Sequence, residues 1–152
     1  MQPANRPPIG FLSTSRALPR LLVGDGPAAV GGAELQLSLV AKALARNGWD
    51  VTVALVDYGQ ETPDETPEGL ALETLYRGST NGSGWRRLLR PAQLLQRMSA
   101  LPPRIWIIMG TGAQAGAVAG VCRILRRRLV LWMASDTDAA CHIDGISRVP
   151  RS

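Results

Sequence analysis

One stretch of this chain leaves little freedom in how it can fold. From Ala33 to Arg46 apolar side chains recur at helical spacing, with Leu37, Val40, Ala41 and Leu44 at i, i+3, i+4 and i+7. Glu34, Ser38, Lys42 and Arg46 occupy another side of the same helix. Asn47-Gly48 supplies the stop, because glycine accepts the left-handed conformation that ends helices. Val51-Thr52-Val53-Ala54-Leu55-Val56 follows, a short apolar run of the kind that forms a buried strand. Ahead of the helix, Leu21-Leu22-Val23 runs into Gly24-Asp25-Gly26-Pro27 and reads as a first buried strand and its turn. Strand, helix and strand of these lengths make a βαβ unit, and hence two parallel strands.

The alternation continues downstream. Residues 62–68, with Pro63 and Pro67, read as a loop, and Leu70 to Tyr76 as a third, weaker strand. Trp85 to Leu101 is amphipathic, with Trp85, Leu88, Leu89, Ala92, Leu95 and Met98 as its stripe, and Pro91 is expected to kink or split it. A fourth strand (105–109), a helix (113–125) and a fifth strand (129–133) complete the pattern. Alternation of this kind predicts an α/β fold, a doubly wound parallel sheet of Rossmann type.

The chain's 152 residues suit one domain. Residues 1–19, which lack the apolar core of a signal peptide, read as a disordered leader, and residues 20–152 as the domain. Cys122 and Cys141 have no CxxC spacing, which excludes a disulfide framework and points to a reduced, cytoplasmic setting. Ile105 to Cys122 carries no charge, and Gly112, Gly116 and Gly120 repeat at GxxxG spacing. The glycines break that run too early for a membrane span, so strand, turn and small-residue helix is the better reading.

The net charge is +5, and Lys42 is the sole lysine. Arg86, Arg90 and Arg97 with Arg126-Arg127-Arg128 suit a solvated helix face, or peripheral contact with an anionic membrane. Aromatic residues interleaved with the basic ones are lacking, which argues against nucleic acid.

In an open parallel sheet, ligands sit beyond the carboxyl ends of the strands. That singles out the segments 24–34, 110–114 and 134–138. Gly31-Gly32 stands at the mouth of the long helix, where unpaired N–H groups and the helix dipole favour an anion or a polar ligand. Two adjacent glycines also remove the side chains that would keep a phosphate or a sugar ring away from the backbone.

The run from Gly31-Gly32-Ala33-Glu34-Leu35 through Leu44-Ala45-Arg46-Asn47-Gly48-Trp49-Asp50-Val51-Thr52-Val53 resembles the N-terminal domain of GT-B glycosyltransferases of the family 4 type. A GG-x-E turn opens the first helix there, and a leucine-glycine-valine phrase leads into the second strand. The later strand-GTG-helix-strand order, ending in Ala134-Ser135-Asp136-Thr137-Asp138, is similar too. The likeness covers roughly residues 20–140, and its specific part is the first βαβ unit.

The resemblance implies retaining transfer of a sugar from a nucleotide-sugar to a sugar or lipid-linked acceptor, without a metal or resident cofactor. It assigns substrate binding to Gly31, Gly32, Glu34, Gly110, Thr111 and Gly112. Asp136 then stands near the acceptor hydroxyl, where the family often has a histidine just before this point that is lacking here. The donor is held mostly by a second Rossmann domain carrying two glutamates with seven residues between them. Glu65 and Glu73 share that spacing but fall in a loop and a weak strand. The resemblance thus implies the acceptor-side half of a truncated or split enzyme, inactive alone.

Two other readings stay open. Gly24-Asp25-Gly26-Pro27-Ala28-Ala29 mimics a GxGxxA dinucleotide fingerprint, with Asp57 placed for a ribose, which suits an NAD- or FAD-binding oxidoreductase. A non-catalytic binding remnant would need neither donor domain nor Asp136. Asp136, Asp138, Cys141, His142 and Asp144 match no metal-site spacing.

Overall fold

A computed structural model describes residues 6–24, 31–63, 66–78, 84–109 and 113–133. The elements are β1 (Ile9–Ser13), α1 (Leu18–Val23), α2 (Gly32–Arg46), β2 (Val51–Asp57), β3 (Ala71–Arg77), α3 (Gly84–Ala100), β4 (Ile105–Met109), α4 (Ala113–Ile124) and β5 (Arg128–Trp132). The strands form one sheet in the order β3-β2-β1-β4-β5, every pairing parallel. The fold is α/β, a doubly wound Rossmann-like sheet. Ile105–Met109 is a strand of it, and among the described residues no helix is long and apolar enough to cross a membrane.

The alternation of side chains along each strand feeds two separate cores. Ile9, Phe11, Val53 and Leu55 pack on one face with Leu18 and Leu22 of α1 and Leu37 and Ala41 of α2. Leu12, Ala54, Trp106 and Ile108 pack on the other with Leu94 and Met98 of α3 and Val118, Val121 and Cys122 of α4.

The start of the chain corrects two expectations. Residues 9–13, placed in a disordered leader, are the central strand, so the domain begins well before residue 20. Leu21-Leu22-Val23, expected as the first strand, lies in α1 instead. Leu18 and Leu22 are one helical turn apart and both buried, Pro19 sits in the first turn, and Gly24 closes the helix at φ 93°. The Lys42 ammonium donates to the carbonyl of Leu21 at 2.8 Å, tying the end of α1 to α2.

Two helix faces also differ from the periodicity. Ser38 of α2 is buried, with its hydroxyl donating to the Leu35 carbonyl at 2.9 Å, while Leu35 and Leu39 stand exposed. Helix α3 runs through Pro91 without a break. Among its described side chains Leu94 and Met98 are buried in the core, Leu95 packs beside them, and Ala92 faces out. Burying those side chains on the sheet offsets the roughly 3 kcal/mol that an interior proline costs.

Burial pushes the Cys122 thiol above its ordinary value, with the charge of Arg127 pulling the other way. The native protein should therefore leave Cys122 unlabelled by a thiol reagent at neutral pH and expose it in urea, as peptide mass mapping can show. A folded value above the unfolded one means that the thiol's contribution to stability is present below the ordinary thiol range. It is lost as pH climbs past it, so the urea midpoint should fall on the alkaline side. Native labelling as fast as in urea would contradict this placement.

Candidate functional site

The chain winds outward from β1 through β2 to β3, then returns to lay β4 against the other side of β1. The connections leaving β1 and β4 therefore diverge, and the gap between their carboxyl ends is the switch point at which such sheets take ligands. A cleft of about 360 Å³ opens there. Leu12, Ile108 and Met109 form its floor, Ser13, Thr14 and Ser15 one wall, Ala33, Glu34 and Leu37 of α2 another, and Gln114 of α4 a third.

The hydroxyl wall is held by its own backbone. The Ser13 Oγ accepts the N–H of Ser15 at 3.1 Å, and the Ser15 Oγ accepts the N–H of Ala17 at 3.3 Å. Each hydroxyl keeps its proton for another partner. Leu37 and Ala41 anchor α2 on the sheet, which aims the mouth of that helix at the cleft. Among the described residues no side chain caps it: Gly31 is the N-cap, and the first helical bond runs from the Leu35 N–H to the Gly31 carbonyl at 3.2 Å.

The two glycines do different things. Gly31 has φ −63° and ψ 145°, an extended conformation open to any residue, so no turn demands glycine there. The carboxylate of Glu34 folds back into the space that a Cβ on Gly31 would need. At Gly32 a Cβ would meet none of the described residues within 4 Å, so on their side the helix mouth is open.

The lining described here contains a carboxylate, hydroxyls and an amide but no lysine or arginine. Such a set accepts and donates hydrogen bonds to a neutral, hydroxyl-rich ligand, and it offers a phosphate no cationic side chain. The nearby Arg16 guanidinium is stacked on the Tyr58 ring, 4.8 Å from its centroid.

Of the residues singled out in the sequence, Gly31, Gly32 and Glu34 come to the mouth of α2, and Ala33 and Glu34 line the cleft. Gly110, Thr111 and Gly112, which join β4 to α4, lie outside the described residues, and so do Asp136 and the segment with Cys141 and His142. Glu73 lies exposed on β3, and Glu65 is outside the described residues. Ser13, Thr14 and Ser15 are not among the residues that the sequence singles out, because the strand that carries them falls in the stretch that reads as leader. Their signal was the polar Ser-Thr-Ser directly after the apolar Phe11-Leu12.

The dinucleotide fingerprint loses its context. Gly24 closes a helix, whereas the fingerprint must follow a strand. The true turn after β1 is Thr14-Ser15-Arg16, without a glycine. Asp57 ends β2 as expected, but its Oδ1 accepts the N–H of Gly59 at 2.7 Å within the turn. Comparison with protein-family models and with curated proteins finds no match to this chain.

Proposed function

We propose that this chain is the acceptor-side domain of a retaining glycosyltransferase, and that its cleft receives the sugar of an acceptor, free or lipid-linked. The observation that carries the reading is the cleft's chemistry: hydroxyls, an amide and a carboxylate around an open helix mouth at the switch point, with no cationic side chain in the described lining. A sugar ring needs that mixture of donors and acceptors. The nucleotide-sugar's phosphates need cations, and on this reading a second Rossmann domain supplies them.

In this arrangement Ser13, Thr14 and Ser15 orient the acceptor ring and Glu34 accepts from its hydroxyls. Gly32 admits the ligand to the helix mouth. Asp136, in the segment after β5, is the proposed catalytic carboxylate beside the attacking hydroxyl, and Gly110-Thr111-Gly112 the proposed opposite wall. The enzyme works in the cytoplasm, where nucleotide-sugars serve as donors.

Saturation-transfer NMR on the 152-residue protein with a panel of mono- and disaccharides tests this. At least one sugar should receive saturation, and Gly32→Val should weaken it at least about tenfold, or roughly 1.4 kcal/mol. The variant should melt close to the parent, because the new side chain meets none of the described residues. Absence of any sugar signal, or equal binding by a folded Gly32→Val protein, would remove the acceptor-site reading. The same chain should show no sugar transfer from any nucleotide-sugar, and turnover by it alone would overturn the division of labour between two domains.

A further inference from the structure

The opposite end of the sheet carries a second concave surface of different character. The amino ends of β4 and β5 bring Arg104 and Arg128 together, and Arg126 in the turn after α4 joins them. With Pro7 and Ile105 these frame a recess of about 360 Å³. The backbone beneath is pinned. The Arg104 N–H donates to the Pro8 carbonyl at 3.1 Å, and the Arg104 carbonyl accepts the Arg128 N–H at 2.9 Å.

Exposed arginines are ordinarily solvated, or serve the negative end of a nearby helix. Arg127 does serve one: its guanidinium donates to the carbonyls of Met98 and Leu101 at the end of α3. Arg104 and Arg128 flank strands instead and have no helix carbonyl as partner among the described residues. All three framing side chains are exposed. Among the described residues the ion pairs are Arg20–Glu61 and Arg46–Glu68, so no carboxylate neutralises the recess. Asp50 and Glu68, the acids described at this end, flank β2 and β3 away from it. The positive charges feel one another: burial lowers the Arg127 guanidinium most, Cys122 pulls it back up, and Arg104 adds a smaller lowering of its own.

Arg126 adds an independent sign. The turn after α4 closes with the Arg127 N–H on the Cys122 carbonyl at 2.8 Å and the Arg126 N–H on the Arg123 carbonyl at 3.2 Å. That is the Schellman pattern, whose left-handed position glycine takes without strain. Here arginine holds it, at φ 53°, the one non-glycine with positive φ among the described residues. A side chain kept where glycine would be more stable is an outlier of the kind that gathers at functional sites.

We infer that the recess framed by Arg104, Arg126 and Arg128 binds a small phosphate-bearing polyanion, of the di- or triphosphate class. Three guanidinium groups around one recess match more negative charge than a single phosphate brings, and each can grip two oxygens at once. The recess lies at the opposite end of the strands from the cleft, so it is a second site, and its occupant leaves the sugar cleft free. It stands independently of the acceptor-site assignment.

Isothermal titration of the 152-residue protein with inorganic pyrophosphate at low salt is the test. Binding should saturate at one site, weaken with added salt, and fall at least about tenfold in Arg104→Met and in Arg128→Met. Arg126→Gly is the informative variant, since it should lose affinity while raising Tm by roughly 2–4 °C as the strain is relieved. No saturable pyrophosphate binding would overturn the site. So would full affinity in Arg126→Gly or in both methionine variants. Sedimentation with phosphatidylserine vesicles at the same salt should leave the protein in solution, and vesicle binding that pyrophosphate fails to compete would assign the arginines to a lipid surface instead.

Discussion

Gly10→Val should leave the protein unable to hold its sheet together. Gly10 sits on the central strand in register with Trp106 of β4. A Cβ at residue 10 would lie 2.6, 2.7 and 2.9 Å from three atoms of the indole ring. That ring has no exposed surface, and it shares its core with Met98 of α3 and Val118 of α4. Its Nε1 is buried without a hydrogen-bond partner among the described residues, so fit alone holds it. Neither the ring nor the strand has anywhere to go.

Gly10→Ala should cost about 2–3 kcal/mol, and the branched valine more, a large share of the roughly 5–15 kcal/mol that a domain has. Urea unfolding followed by circular dichroism reads it directly. Trp106→Leu should rescue part of the loss in the Gly10→Ala background, with a coupling of about 1–3 kcal/mol. An unshifted urea midpoint for Gly10→Ala would show that the indole does not lie across the glycine.

Arg127→Met should be the next most damaging change. Its guanidinium reaches the carbonyls of Met98, Ser99 and Leu101, the last at 2.9 Å. Met98 and Ser99 lie in the last turn of α3 and Leu101 just past it; the Met98 carbonyl otherwise takes only a long bond from the Leu101 N–H at 3.4 Å among the described residues, and the loop that follows delivers the chain to β4. A hydrogen bond to a charged group contributes about 1.5–3 kcal/mol, and methionine keeps the stem but removes the fork. With one of the contacts long, at 3.4 Å, a net loss of about 2–3 kcal/mol is expected. Arg127→Lys should recover little, because a single ammonium cannot span three carbonyls. Hydrogen exchange should speed up first at the end of α3. A methionine variant as stable as the parent would mean that water serves those carbonyls equally well.

The contrast between these neighbours shows what a sequence can and cannot reveal here. Helix α2 and strand β2 were legible because their signals are local: a period of 3.6, a glycine stop, then an unbroken β-rich run. The glycines at the mouth of α2 were legible for the same reason, since the helix start fixes where they must lie. Strand β1 was not. Two short apolar runs compete near the chain's start, and local pattern favours the stronger, Leu21-Leu22-Val23, although Leu18 and Leu22 share a helical face. What decides for Ile9–Ser13 is pairing with β2 and β4, information that lies far along the chain.

The hydroxyl wall was lost with that strand. Glu34 could be named as a site residue, but its fold back over Gly31 depends on atoms rather than on spacing. The left-handed Arg126 was invisible too, because nothing in the sequence marks a glycine position that has no glycine.

The central place of β1 also dictates an order of assembly. Ile9 pairs with Val51 on one side and with Ile105 on the other. As the chain is synthesised, the first partner arrives early, and β1, β2 and β3 can zip together from neighbouring segments. The second edge of β1 must then wait until Ile105–Met109 has been made. During that interval Gly10 has no indole to cover it, and an open row of backbone donors and acceptors borders Phe11 and Leu12. Distant parallel pairing of this kind is slow, and an unpaired apolar edge recruits other chains. The half-made sheet is thus the species most exposed to aggregation, and the arrival of Trp106 closes that window.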